Sequence, residues 1–167
     1  ASFKTRQRMI ITSHDLTIEE TNLTLGLSIH VHYFTLPSEP LAALIRTVTI
    51  TNNSRKKYKV QLIDGLPAII PYGLKDGLLK NIARTVEAWV SVDNIKEKAP
   101  YYHLSVDVSD KPVVNHVTEG NFYFSFIKDG NRTELLAPVV EAECVFGHSC
   151  DFIVPENFFN NQGFNVP

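Results

Sequence analysis

The 167 residues carry 16 Lys and Arg against 18 Asp and Glu, a net charge of −2 that excludes a global field drawing the chain to nucleic acid or an anionic membrane. Hydrophobic residues at 44% and charged residues at 20% exclude disorder, and no apolar run reaches the roughly 20 residues that span a bilayer. Two cysteines, Cys144 and Cys150, are too few for a disulfide framework.

The opening Ala1-Ser2-Phe3-Lys4 lacks the basic-then-apolar pattern of a signal peptide, and Met9 is the single methionine. The expectation is a piece of a longer polypeptide, located in the cytoplasm with both thiols reduced. Three N-x-S/T sequons, at Asn22, Asn52 and Asn131, matter only in a secretory pathway, and nothing in the sequence points to one.

In chain order, the first strong pattern runs from Leu23 to Phe34. Leu23, Leu25, Leu27, Ile29, Val31 and Tyr33 alternate with Thr24, Gly26, Ser28, His30, His32 and Phe34. A period of two predicts one long strand with an apolar and a polar face. The prolines of Leu36-Pro37-Ser38-Glu39-Pro40 make a turn, and a strand over 41–51 follows, rich in β-branched residues at Thr47-Val48-Thr49-Ile50. Asn52-Asn53-Ser54-Arg55 then predicts a hairpin into a strand over 57–63. The basic cluster Arg55-Lys56-Lys57 reads as a solvated turn.

Leu74, Leu78, Leu79 and Ile82 share one helical face, so a short helix is expected over 74–83, weakened by Gly73 and Gly77. Strands are expected over 85–92, 101–108, 121–127 and 139–146. Asp93-Asn94, Asp110-Lys111-Pro112 and Asp129-Gly130-Asn131 mark the turns between them. Many strands joined by short turns, with at most one short helix, describe an all-β, antiparallel two-layer β-sandwich over residues 1–158. The Asn-rich stretch 159–167 reads as a linker or frayed tail.

Chemistry is sparse. His30 and His32 lie two apart on one strand and share a face, but a zinc site needs further ligands that no motif supplies. Cys144, His148 and Cys150 have no standard zinc spacing, and Cys144 takes the place of a buried apolar residue on its strand. Adjacent Ser13-His14-Asp15 is no evidence for a triad, which is assembled in space. Glu19 and Glu20 point to opposite faces of an extended strand.

The stretch Asp64-Gly65-Leu66-Pro67-Ala68-Ile69-Ile70-Pro71-Tyr72-Gly73 is different. Two prolines stiffen it, and a carboxylate beside an aromatic ring suits sugar, whose C–H faces stack on rings. It equally suits a connection that only packs. The lone Trp89 reads as core, as an inter-domain face or as a sugar platform. Asp64, Tyr72 and Trp89 are therefore the candidate carbohydrate-binding residues, with no catalytic residue and no metal ligand.

The Asn52 turn and the 64–73 stretch, followed by Val86-Glu87-Ala88-Trp89-Val90, Gly120-Asn121-Phe122-Tyr123-Phe124-Ser125-Phe126, Leu135-Leu136-Ala137-Pro138-Val139-Val140 and Val145-Phe146-Gly147, resemble the β-sandwich domain of glycoside hydrolase family 94 phosphorylases. The resemblance is to the 1,2-β-oligoglucan phosphorylase, cellobiose phosphorylase-like type. It extends from about Met9 to Phe158, while Glu141-Ala142-Glu143-Cys144 and His148-Ser149-Cys150 depart from its pattern.

The resemblance implies a super-sandwich of the galactose mutarotase type within a large cytoplasmic enzyme. That enzyme is inverting and needs no metal or cofactor. It splits β-glucosidic bonds with inorganic phosphate as co-substrate, giving α-glucose 1-phosphate. The family's catalytic aspartate lies in a helical barrel that follows the sandwich, so no catalytic residue transfers to this chain. The implied partners are that barrel, a β-glucan oligosaccharide and a second copy in a homodimer. A self-sufficient carbohydrate-binding module is the alternative.

Overall fold

The computed structural model describes residues 4–66, 68–75, 77, 80, 85–108, 112, 117–148 and 152–160. The chain divides into two compact units, Ala1–Gln61 and Leu62–Pro167. Its regular structure is predominantly antiparallel β, the fold class expected from the alternation.

The first unit is one four-stranded meander: β1 (Thr5–Ile11), β2 (Asp15–Asn22), β3 (Leu27–Thr35) and β4 (Leu44–Asn52), paired in chain order. Directly opposed residues share a face. The register sets Met9 against Ile18, Ile18 against Val31 and Val31 against Val48, which makes one face apolar. On the other face Arg8 meets Glu19, Glu19 meets His30 and His30 meets Thr49. The expected division of β3 into an apolar and a polar side therefore extends across all four strands. No described residue of this unit is fully buried.

Several expected boundaries are corrected. Leu23–Gly26 is a turn, so β3 begins at Leu27 and not at Leu23. The Asn22 side chain causes this: its Oδ1 accepts the backbone N–H groups of Thr24 (3.1 Å) and Leu25 (2.9 Å), closing the chain locally. Asn52 repeats the device at the same end of the sheet, where its Oδ1 accepts the Ser54 N–H at 2.9 Å and its Nδ2 donates to the Lys56 carbonyl at 2.7 Å. No strand forms over 57–63, because the chain leaves the sheet there. Tyr58 instead donates its hydroxyl to the Leu25 carbonyl, 2.9 Å away. Gly26, at φ +71°, receives this closure: a Cβ on it would lie 2.9 Å from Ser54 Cβ.

The second unit holds a three-stranded sheet, β5 (Val90–Asp93), β6 (Tyr101–Leu104) and β7 (Gly120–Phe122), and a hairpin of β8 (Phe126–Asp129) with β9 (Arg132–Leu135). The hairpin turns on Gly130-Asn131, as Asp129-Gly130 predicts. Val86, Leu104, Val145 and the ring of Pro100 are buried here.

The expected helix over 74–83 has helical backbone at Gly77 and Lys80; its remaining interior positions, 76, 78, 79 and 81–83, lie outside the described residues. Residues 85–87 are also helical, so the strand expected from Thr85 begins at Val90. The strand over 101–108 ends at Leu104. That over 121–127 is broken at 123–125: the Tyr123 N–H still bonds its in-register partner, the Pro100 carbonyl, at 3.1 Å, but Pro100 has no N–H to return the bond and the ladder ends there.

The largest correction is 139–146, expected as a strand. Ala142–Phe146 is α1, packed on α2 (Glu156–Phe159). Glu141, Ala142 and Glu143 favour helix intrinsically, and together they outweigh the β-branched Val139-Val140. Asn157 fastens the pair by donating to the Glu143 carbonyl at 2.9 Å. Cys144 is thus a helical residue, half-buried, its thiol 3.8 Å from Glu141 Oε2. Of the expected tail, Phe159 is in α2, and 161–167 lie outside the described residues.

Replacing Gly26 by alanine combines a left-handed backbone with a clash at Ser54. A stability loss of about 1–2 kcal/mol or more is expected, read as a lower urea midpoint at unchanged slope.

Candidate functional site

The polar face of the first unit assembles a cluster that adjacency along the chain does not reveal. Asp15 opens β2 and pairs in register with Phe34, which brings it diagonally to His32. Asp15 Oδ2 and His32 Nε2 are 3.0 Å apart, and the Thr12 hydroxyl donates to Asp15 Oδ1 at 2.5 Å. The His32 ring stacks on Phe34 (centroids 5.0 Å, planes 28° apart), and His30 follows at 6.4 Å. Asp15 thus takes up with His32 across the strands, not with its neighbour His14.

Hydrogen bonds from Thr12 and then His32 stabilise the ionised form and hold the Asp15 carboxyl below its ordinary value of 3.8. His30 and His32 do share a face, as their spacing predicts. Among the described residues, no group of three or more His, Cys, Asp or Glu is placed to hold a metal. Thr12, Asp15 and His32 brace one another, so the cluster ties the β1–β2 turn to β3.

The 64–73 loop lies in the second unit and is anchored there. The Asn121 amide of β7 donates to the Ile70 carbonyl at 2.7 Å, and Pro71 is buried. Asp64 is exposed, and Tyr72 keeps 63% of its surface in solvent. Trp89 is half-buried just before β5, its carbonyl accepting both the backbone N–H and the hydroxyl of Ser105 at 2.8 Å. The candidates therefore divide between an anchored loop, which carries Asp64 and Tyr72, and the entry to the sheet, which holds Trp89. Of the Cys144, His148 and Cys150 set, His148 pairs with Glu143 at 3.1 Å on an exposed surface, and Cys150 lies outside the described residues.

One cluster escapes the sequence reading altogether. On one face of the three-stranded sheet, Tyr101 opposes both Asp93 and Phe122, while His103 lies two residues along β6. Tyr101 packs 4.5 Å from Phe122 and 5.4 Å from His103, and His103 Nε2 is 2.9 Å from Asp93 Oδ2. The alternation of Tyr101 and His103 in Tyr101-Tyr102-His103 is the signal that foretells it. On the opposite face, burial and the nearby Tyr123 raise the Tyr102 hydroxyl above its ordinary value of 10.0.

No family model, no curated protein and no solved structure matches the chain. Among the described residues, no helix is long and apolar enough to cross a membrane.

A depressed carboxyl stabilises the fold at pH values above its unfolded-state value and loses that contribution as pH falls through the lower, folded-state one. The Asp15 side-chain carbon is therefore expected to titrate below 3.8 by NMR. Thr12→Val should move its midpoint up, by more than His32→Gln does.

Proposed function

We propose that this chain is the non-catalytic β-domain of a cytoplasmic, inverting β-glucan phosphorylase, supporting a helical catalytic barrel supplied by the same longer polypeptide. The reading rests on the sequence resemblance and on one structural observation. The apolar face of the first unit leaves large side chains in water, with Met9, Ile11 and Leu44 each more than 60% exposed and Ile29 and Ile50 more than a third. Full burial of such a side chain contributes about 1.5–3 kcal/mol. A face of this kind suits a covering layer, and a barrel docked on the domain supplies one.

A carbohydrate-binding module is the second reading, favoured by the exposed ring of Tyr72 on a stiff, anchored loop.

Two measurements test the main reading. The isolated chain is expected to form no glucose 1-phosphate from β-1,2- or β-1,4-glucan and phosphate, whereas the polypeptide encoded by the complete reading frame forms it. Ile11→Asp is expected to change the stability of the isolated chain by no more than about 0.5 kcal/mol, because the residue is 73% exposed at the end of edge strand β1, yet to lower the melting temperature of the whole enzyme by several degrees. Turnover by the chain alone, or an Ile11→Asp enzyme as stable as its parent, overturns the proposal.

A further inference from the structure

β1 is an open edge. The first sheet ends on it, and every residue of the strand is exposed except the half-buried Ile10. The Lys4 carbonyl accepts the Leu23 N–H at 2.8 Å, and the Thr12 N–H donates to the Asp15 carbonyl at 3.0 Å. These two bonds fix the phase of the ladder between them. Backbone bonding alternates along an antiparallel strand, so Arg6, Arg8 and Ile10 bond to β2, while Thr5, Gln7, Met9 and Ile11 turn their N–H and C=O groups outward. Among the described residues, no strand takes up those outward groups. Donors and acceptors that repeat about every 7 Å along a line match the main chain of an extended peptide.

The side chains narrow the choice of peptide. Arg6 and Arg8 lie two apart on the polar face of the sheet, and Lys4, just ahead of the strand, continues the alternation. Register sets Thr21 opposite Arg6 and Glu19 opposite Arg8, yet among the described residues neither guanidinium makes an ion pair or a hydrogen bond. With Gln7, Glu19 and Thr21 they line an open hollow of about 250 Å³. Two guanidiniums against the one carboxylate of Glu19 leave that strip positive. An added antiparallel strand would meet Arg6 and Arg8 at its non-hydrogen-bonded pairs, where opposed side chains come closest, with Cα atoms about 4.5 Å apart. Carboxylates at alternate positions of that strand therefore reach both arginines from one face.

A second copy of this chain does not meet these requirements. Two β1 strands in full antiparallel register set Arg8 against its own counterpart, and a shift of one pleat sets Arg6 against Arg8. Like charges directly opposed destabilise a strand pair. The other edge, β4, presents Ile45, Thr47, Thr49 and Thr51 on the polar face and so brings no acid.

We infer that β1 receives an extended acidic segment of another protein as an added antiparallel strand. The segment's main chain pairs with Thr5, Gln7, Met9 and Ile11, and its alternating carboxylates meet Arg6 and Arg8. This inference does not rest on the phosphorylase reading.

The test is NMR titration of the whole 167-residue chain with a capped heptapeptide alternating valine and glutamate. A dissociation constant at or below about 1 mM is expected at low salt, with the largest amide shifts at Gln7 and Met9, and binding should weaken severalfold as salt screens the charges. The same peptide with lysine for glutamate should not bind. Arg6→Gln and Arg8→Gln should each weaken binding about two- to fivefold, and the double variant about tenfold. N-methylation of the valines, which removes the donors aimed at the carbonyls of β1, should abolish binding. That peptide probes the unaltered chain, so its result stands whether or not a variant folds. Absence of binding by the glutamate peptide overturns the inference. So does binding that survives N-methylation, that is undiminished in the double variant, or that the lysine peptide equals.

Discussion

Alternating side chains commit a strand to two faces, and a sheet in which four strands agree on that division has one side that water solvates poorly. In the first unit the agreement is carried by register: Met9, Ile18, Val31 and Val48 lie across from one another, strand by strand. Shifting any one strand by a single residue would turn its apolar set to the polar side, so the register and the face define each other. The turns secure that register from the ends. Asn22 and Asn52 fold their own following residues back at one end, and the Thr12–Asp15–His32 chain of hydrogen bonds does the same at the other.

The second unit is organised differently. Its strands are short, its buried Val86, Leu104 and Val145 lie on the helical turn at 85–87, on β6 and on α1, and side chains such as Asn121 and Asn157 tie loop and helix carbonyls to their neighbours. A scaffold of this kind fixes individual side chains through neighbours on the next strand, as His103 does for Asp93 and Tyr101 for Phe122.

Legibility followed the length and purity of the pattern. β3 was readable because its alternation is long, and the Asp129-Gly130 hairpin because its turn chemistry is local. β1 was not, since Met9-Ile10-Ile11 places three apolar residues in a row and erases the period of two. β2 was legible only as extended chain at Glu19-Glu20, since only Leu16 and Ile18 mark its apolar side before Glu20 and Asn22. Apolar character misled at 139–146, where Val139, Val140, Val145 and Phe146 bracket a Glu-Ala-Glu run that prefers helix. The site was the least legible part. Asp15 and His32 are 17 residues apart, and Asp93, Tyr101 and Phe122 belong to three strands, so each group exists only once pairing is known.

The meander has a kinetic meaning as well. Every pairing in the first unit joins strands that are neighbours in the chain, so little loop entropy opposes any of them, and such low contact order favours rapid assembly. The sheet can therefore form early. Until the barrel of the proposed enzyme covers it, the row from Met9 to Val48 is an adhesive surface, and on that reading the speed of capping governs whether the nascent polypeptide matures or clumps.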